Sequence, residues 1–232
     1  ANRGAFPIES FAHFDIAYRI INGDIPFQDY WLVSGLFIDY LQAFFFKIFG
    51  LNFQTYVLQA SLFNCLLAIS TFYILKNFKL NIYQCFFYSI SFATLAYTTS
   101  GTLYVDHHAS LLCLLVIYIL IMFIKTERGI FLILLPIISG LAFLTKSAPT
   151  VYIIFSVILI LTFYILNKKK FNWFLYLILS SLSFVILTLI FFKIENIPLS
   201  SFFNQYILFS SSIGKDRYGE LNFLSEGVLF DF

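Results

Sequence analysis

The chain is 232 residues long, 60% hydrophobic and 11% charged, with a net charge of +2. Soluble domains carry roughly 45–50% apolar and about 25% charged residues, so a soluble globular protein is excluded. So small a net charge also excludes a basic nucleic-acid-binding surface.

Apolar runs of about 18 residues or more recur, each able to cross a ~30 Å hydrocarbon core as a helix. They lack the period-2 alternation of a barrel strand, so helices satisfy the backbone in lipid. The fold class expected is all-α: a polytopic transmembrane helical bundle with an external loop carrying interfacial helices.

Residues 1–50 form that external loop. Ser10–Ile21 is predicted helical, with Ser10 as N-cap, Gly23 as stop, and Phe11, Phe14, Tyr18 and Ile21 as its apolar face. Glu9 stands at the helix start, where unpaired amides favour a negative group. The next stretch, Trp31–Phe49, is apolar yet carries Asp39, Gln42 and Lys47. Asp39, Ala43, Phe46 and Gly50 fall three or four apart, as do Phe37, Tyr40 and Phe44, which predicts a helix. A charge at bilayer centre costs ~2.5–3.5 kcal/mol, which favours an interfacial or partly buried helix over a full crossing.

Six crossings follow within residues 52–192: Asn52–Leu75, Ile82–Ser100, His107–Ile124, Ile130–Leu144, Thr150–Leu166 and Trp173–Phe192. Alternate connections carry Lys76 and Lys79, Lys125 and Arg128, and Lys168 to Lys170, and the positive-inside rule places them in the cytoplasm. The other side receives the N-terminal loop, Tyr104–Asp106, Lys146–Pro149 and the tail 194–232, leaving Glu127 as the one cytoplasmic acid. External placement of Ala1–Tyr30 predicts an earlier crossing or a cleaved signal upstream. Residues 1–232 are therefore read as a single membrane-domain fragment, the N-terminal portion of a longer protein with a truncated tail. No repeat of about 20–50 residues is visible. Cys65, Cys85 and Cys113 lie singly within predicted spans, giving neither a disulfide framework nor zinc spacing.

Three polar clusters share the outer face. In the first, the acids of the N-terminal segment either face water on an amphipathic helix or belong to a site. In the second, Asp106 either caps a helix starting at His107 or joins a site with His107 and His108. Adjacent histidines point about 100° apart on a helix, so these two do not chelate one metal by themselves. In the third, Lys146 is either a snorkelling anchor or a compact cation for a phosphate.

Arg19-Ile20-Ile21, Gly23, Pro26-Phe27 and Asp29 stand in an order and spacing that resembles the first external loop of the GT-C glycosyltransferases. These are polyprenyl-phosphate-sugar-dependent membrane enzymes, whose bacterial branch includes protein mannosyltransferases and aminoarabinose transferases. The stretch Ala43–Gly50 resembles the family's lead into its next span. The resemblance covers roughly Pro7–Pro149 and rests on order, spacing and sidedness rather than on one specific motif.

It implies that Glu9 occupies the position of the catalytic Asp, one methylene longer. Ser10 departs from the family's second acid, and Asp15 remains a rival base. It further implies Asp106 as a catalytic helper, and Arg19, Asp29, His107, His108 and Lys146 as substrate-binding, with Lys146 meeting the lipid-linked phosphate. No cofactor is implied beyond a candidate divalent metal, for which Glu9, Asp106, His107 and His108 are the candidate ligands. The implied reaction is inverting hexosyl transfer from a polyprenyl-phosphate carrier to a lipid, glycan or protein acceptor at the outer face of a bacterial inner membrane. The rivals are a lipid or small-molecule transporter or flippase, and a non-catalytic membrane scaffold. A transporter predicts ionisable groups near the midplane and paired broken spans, whereas only Pro136 interrupts a span interior here.

Overall fold

The computed structural model describes residues 7–96, 104–210 and 212. These form an all-α bundle: α1 (Pro7–Asn22), α2 (Phe37–Phe49), α3 (Phe53–Asn77), α4 (Ile82–Ala96), α5 (Val105–Thr126), α6 (Gly129–Phe143), α7 (Ser147–Lys168), α8 (Asn172–Ile194) and α9 (Leu199–Phe202). A π-helical stretch, Phe203–Leu208, continues α9.

Local chemistry sets several of these boundaries. The Asn52 side chain accepts from the Thr55 amide at 2.8 Å and starts α3, a cap worth about 1 kcal/mol. Asn81 and Gln84 exchange side-chain bonds with each other's amides at 2.8 and 3.3 Å and start α4, the reciprocal arrangement of a capping box. Glu127 and Lys169 take left-handed conformations that end α5 and α7. Gly23, at φ 95°, terminates α1.

Two expectations for α1 are corrected. The helix begins at Pro7, not Ser10, so Ser10 lies inside it and is not the cap. Proline is at home in a first turn, where its fixed φ suits the helix and its missing N–H has no partner to lose. The buried face is also shifted: His13, Ala17 and Ile20 are buried, Phe14 and Ile21 pack against the core as expected, and Phe11 and Tyr18 are 56% and 43% exposed. The small Ala17 and the polar His13 let α2 pack closely, an outcome that a count of large apolar residues does not register. Of the two alternatives for Asp106, the N-cap is set aside, because α5 begins at Val105 with Tyr104 preceding it.

Four helices, α3, α5, α7 and α8, are long and apolar enough to cross a membrane. In α8 only 6% of the most apolar stretch is buried, and Leu179, Leu182, Ile186 and Leu187 are all more than half exposed. An apolar surface of that extent is stable only against lipid or another apolar partner. The chain is a helical membrane protein. Helices α4 and α6 are apolar but 15 residues each over the described residues, a rise of about 22 Å at 1.5 Å per residue.

Side-chain contacts show which connections share an end. Glu127 pairs with Lys168 at 2.7 Å and Lys170 at 2.6 Å, and Lys125 sits over the Phe78 ring. The three basic connections therefore meet at one end of the bundle. Tyr164 and Trp173 stack 3° from parallel above Phe123 and brace that end. At the opposite end α1, α2, the start of α5 and the α6–α7 turn converge.

The two lysines hold the Glu127 carboxyl down at about 2, from an ordinary value of 4.5. A depressed carboxylate contributes stability above its unfolded value and loses it as pH falls through the folded one. Glu127→Gln is therefore expected to lower the melting temperature of the detergent-solubilised protein by a few degrees at neutral pH. The gap between the two proteins should close between about 4.5 and about 2, as read by thermal unfolding across a pH series; a constant gap would separate the pair from stability.

Candidate functional site

The end opposite the basic connections is assembled by backbone contact. The Gly35 amide donates to Thr145 O and the Phe37 amide to Leu144 O, both at 2.9 Å. These two bonds dock the chain entering α2 onto the turn that carries Lys146. A Cβ on Gly35 would stand 1.9 Å from Leu144 O, so only glycine admits this approach. Gly140 has the same function one turn deeper, where a Cβ would lie 2.1 Å from the Phe184 ring of α8. Gln205 completes the frame: its Nε2 donates to Phe27 O at 2.9 Å and its Oε1 accepts from the Leu32 amide at 3.1 Å.

Lys146 and Asp106, 40 residues apart in sequence, form an ion pair between the starts of α7 and α5. Both side chains are partly exposed, at 35% and 39%. Lys146 thus has a charged partner and is not an isolated anchor. His108, two residues beyond Asp106, is fully buried; its Nδ1 donates to Tyr104 O at 3.0 Å and its ring packs on Phe63. His107 packs against the Tyr104 ring.

One buried polar contact joins two residues that the sequence did not mark as a pair. His13 Nδ1 donates to Asp39 Oδ1 at 2.7 Å, with Asp39 wholly enclosed and the His13 side chain 8% exposed. Gln42 and Gln59 are buried beside the same seam, at 0% and 1% exposure. Phe14, Phe46 and Tyr56 form an aromatic cluster around it, with Phe14 centroids 4.9 and 5.5 Å from the other two. His108 lies within electrostatic reach of His13, and Tyr56 and Tyr30 within reach of Asp39. Burial, reinforced by the Asp39 charge, pushes the Tyr30 phenol above its ordinary value.

The remaining anticipated residues are placed less centrally. Asp15 is exposed and bound to Arg19 at 2.8 Å on its own helix, and two residues from His13 it points away from the buried face. Arg19 also approaches Asp24 at 3.9 Å and lies over the Tyr30 ring; its own proton is held more tightly because of Asp15. Asp29 accepts from the Ile25 amide at 2.6 Å and closes the turn after α1. Arg19 and Asp29 therefore have local partners that shape the loop. Glu9 belongs to the first turn of α1, one turn before His13, and its side chain lies outside the described residues, as do the stretch 97–103 and the tail beyond 212. Among the described residues no three His, Cys, Asp or Glu gather to hold a metal ion; Asp106, His107 and His108 do not converge as a ligand set.

The fold and the placement of its charges together define an α-helical membrane protein with ionisable groups gathered at the two ends of the bundle. Comparison with protein-family models, curated proteins and solved structures gives no match in any of the three.

Gly35→Ala is expected to destabilise the detergent-solubilised protein by about 1–3 kcal/mol, the usual cost of overpacking. Val33→Ala, at a 48% exposed position, should stay within about 0.5 kcal/mol. Equal melting temperatures for the Gly35→Ala protein and the parent would show that the docking has slack.

Proposed function

We propose that the protein is a GT-C-type membrane glycosyltransferase that moves a sugar from a polyprenyl-phosphate carrier to an acceptor at the outer face of a bacterial inner membrane. The carrying observation is an apolar groove of about 580 Å3 between α2, α6 and α8. Leu36, Tyr40, Phe44, Leu141, Leu187 and Phe191 are among its walls, as is Leu144, two residues before Lys146 in the chain. An apolar channel of this size suits a lipid chain, and a lysine two residues beyond its wall is a compact cation for the phosphate that ends such a chain.

Six crossings fit this reading. The three basic connections at one end require α4 and α6 to return the chain to the other, and loop charge assigns the basic end to the cytoplasm.

The chemistry follows from that placement. The acceptor oxygen attacks the anomeric carbon, the bond to the carrier phosphate breaks, and its electron pair leaves on the phosphate. Lys146 exchanges its contact with Asp106 for the phosphate and stabilises the developing charge. Glu9 takes the acceptor's proton as general base. A lipid translocator would use the same groove but leave the sugar–phosphate bond intact.

In a background lacking Cys65, Cys85 and Cys113, single cysteines near Asp24 and Ser147 should label from outside, and those near Asn77 and Asn167 only from the cytoplasm. Cytoplasmic labelling near Ser147 would remove the reading.

Release of polyprenyl phosphate from a synthetic polyprenyl-phosphate hexose, in proteoliposomes of the full-length protein, tests the activity. Glu9→Gln should reduce it by about 10²–10⁴-fold. Lys146→Ala should raise KM for the donor with a smaller effect on kcat. Intact donor crossing the bilayer without cleavage would replace transferase by translocator, and an inactive Asp15→Asn protein beside an active Glu9→Gln protein would move the base to Asp15.

A further inference from the structure

The basic end of the bundle has no part in the chemistry above, and its charges are far from balanced. Seven cations, Lys76, Lys79, Lys125, Arg128 and Lys168 to Lys170, stand there against the single carboxylate of Glu127. That is a local charge of +6, where the whole chain carries +2. Lys168 and Lys170 hold Glu127 at 2.7 and 2.6 Å. Lys76, Lys79, Lys125, Arg128 and Lys169 are exposed and have no acidic partner among the described residues. Contacts join the three connections, because Lys125 lies 5.4 Å from the Phe78 ring centroid and Glu127 reaches across to the α7–α8 turn. The unpaired cations therefore belong to one surface. Like charges gathered in this way repel one another, and an anionic layer against them removes that cost.

Aromatic residues set the depth of this surface in a bilayer. Lys170 lies over the Trp173 ring at 4.6 Å, and Lys168 over the Tyr164 ring at 5.5 Å. Trp and Tyr concentrate at the headgroup level of a membrane, so the neighbouring ammonium groups stand among lipid phosphates.

An apolar groove of about 310 Å3 runs from there between α6 and α8, with Ile133, Tyr176, Leu179 and Ser183 among its walls. It opens toward lipid, since Leu179 and Tyr176 are both exposed. Tyr176 also lies 4.0 Å from where a Cβ on Gly129 would stand. The groove wall thus reaches the first residue of α6, the helix that Arg128 directly precedes. Cations at the start of α6 and an apolar groove along it are the two halves of a phospholipid site.

We propose that the basic end binds an anionic phospholipid of the bilayer, with its headgroup on Arg128, Lys169 and the neighbouring lysines and one acyl chain in the α6–α8 groove. Arg128 suits the phosphate, because a planar guanidinium donates to two of its oxygens at once. A phospholipid fits where a soluble anion does not, since the groove beside the cations is apolar and faces lipid. This groove meets the larger one at Ile137, Phe184 and Leu187, but the inference needs no sugar donor and stands apart from the glycosyl-transfer reading.

The test is thermal unfolding of the full-length protein in neutral detergent, titrated with phosphatidylglycerol or with phosphatidylcholine of the same acyl chains. Half of the thermal shift should be reached at about tenfold less phosphatidylglycerol than phosphatidylcholine, each cation near an anionic headgroup being worth about fivefold. The preference should shrink as salt screens it. In the Arg128→Gln/Lys169→Gln protein it should be largely lost. Lys47→Gln removes an exposed cation in the last turn of α2 and should leave it unchanged. Ser183→Phe, which fills the groove, should weaken binding of both lipids. Each variant is compared with itself without lipid, so a loss of intrinsic stability does not mimic a loss of binding. Equal binding of the two lipids overturns the proposal, as does a preference that survives the Arg128→Gln/Lys169→Gln change. A Ser183→Phe protein that binds both lipids as the parent does overturns the groove as the seat of the chain. Inorganic phosphate that reproduces the phosphatidylglycerol shift makes the surface a site for free anions and overturns the lipid.

Discussion

Two backbone hydrogen bonds, from Gly35 to Thr145 and from Phe37 to Leu144, hold together the end of this bundle opposite the basic connections. They leave no space for a side chain at position 35. Because the chain must enter α2 there, α2 is pinned across the end of α6, and its buried face is turned toward α1, α3 and α5. Asp39 consequently points inward, where an unpaired charge would cost several kcal/mol. His13 of α1 is drawn to it. The same docking sets Lys146 at the neck of the turn, within reach of Asp106 on α5. One close approach of main chain to main chain thus decides the neighbours of two ion pairs.

The two ends of the bundle use charge differently. At the basic end, Glu127 is shared by two lysines beside an aromatic stack, a solvated clamp that fastens the α5–α6 turn to the α7–α8 turn. At the opposite end the charges occur as discrete pairs: Arg19–Asp15 and Lys146–Asp106 are exposed or partly exposed, and His13–Asp39 is sealed. An exposed pair can trade partners with an incoming anion at little cost, because water already shares in its stabilisation. A sealed pair cannot, and its free energy varies with protonation instead. This difference suits Lys146–Asp106 to the role proposed for it and His13–Asp39 to a structural tie.

The layout of the helices was visible in the residues themselves. The predicted starts and stops of α3 to α8 lie within a few residues of those observed over the described part, because each apolar run is bounded by Asn, Lys or Gly where lipid ends. The Asp106-His107-His108 and Lys146 clusters also stood out, since ionisable groups are sparse between them. The partnership of His13 and Asp39 did not. They are 26 residues apart, and although Asp39 fell on a stripe with Ala43 and Phe46, nothing in the pattern of α1 marked His13 as its partner. Ala17 and Gly35, which allow the close packing, carry almost no signal in a hydrophobicity pattern.

By itself the sequence determined the solvent, the helical class, the approximate bounds of the helices and the gathering of basic residues in alternate connections. Each of these follows from local composition, because a ~30 Å apolar core accepts only long apolar helices and loop charge is counted over short stretches. Only the tertiary structure decided which side of α1 is buried, that Asp39 is paired with His13, and that Asp106 faces Lys146 rather than capping its own helix. Those outcomes depend on how closely helices distant in sequence approach. That distance is set by the smallest residues at the contact, whose identity matters only once the partner surface is in place.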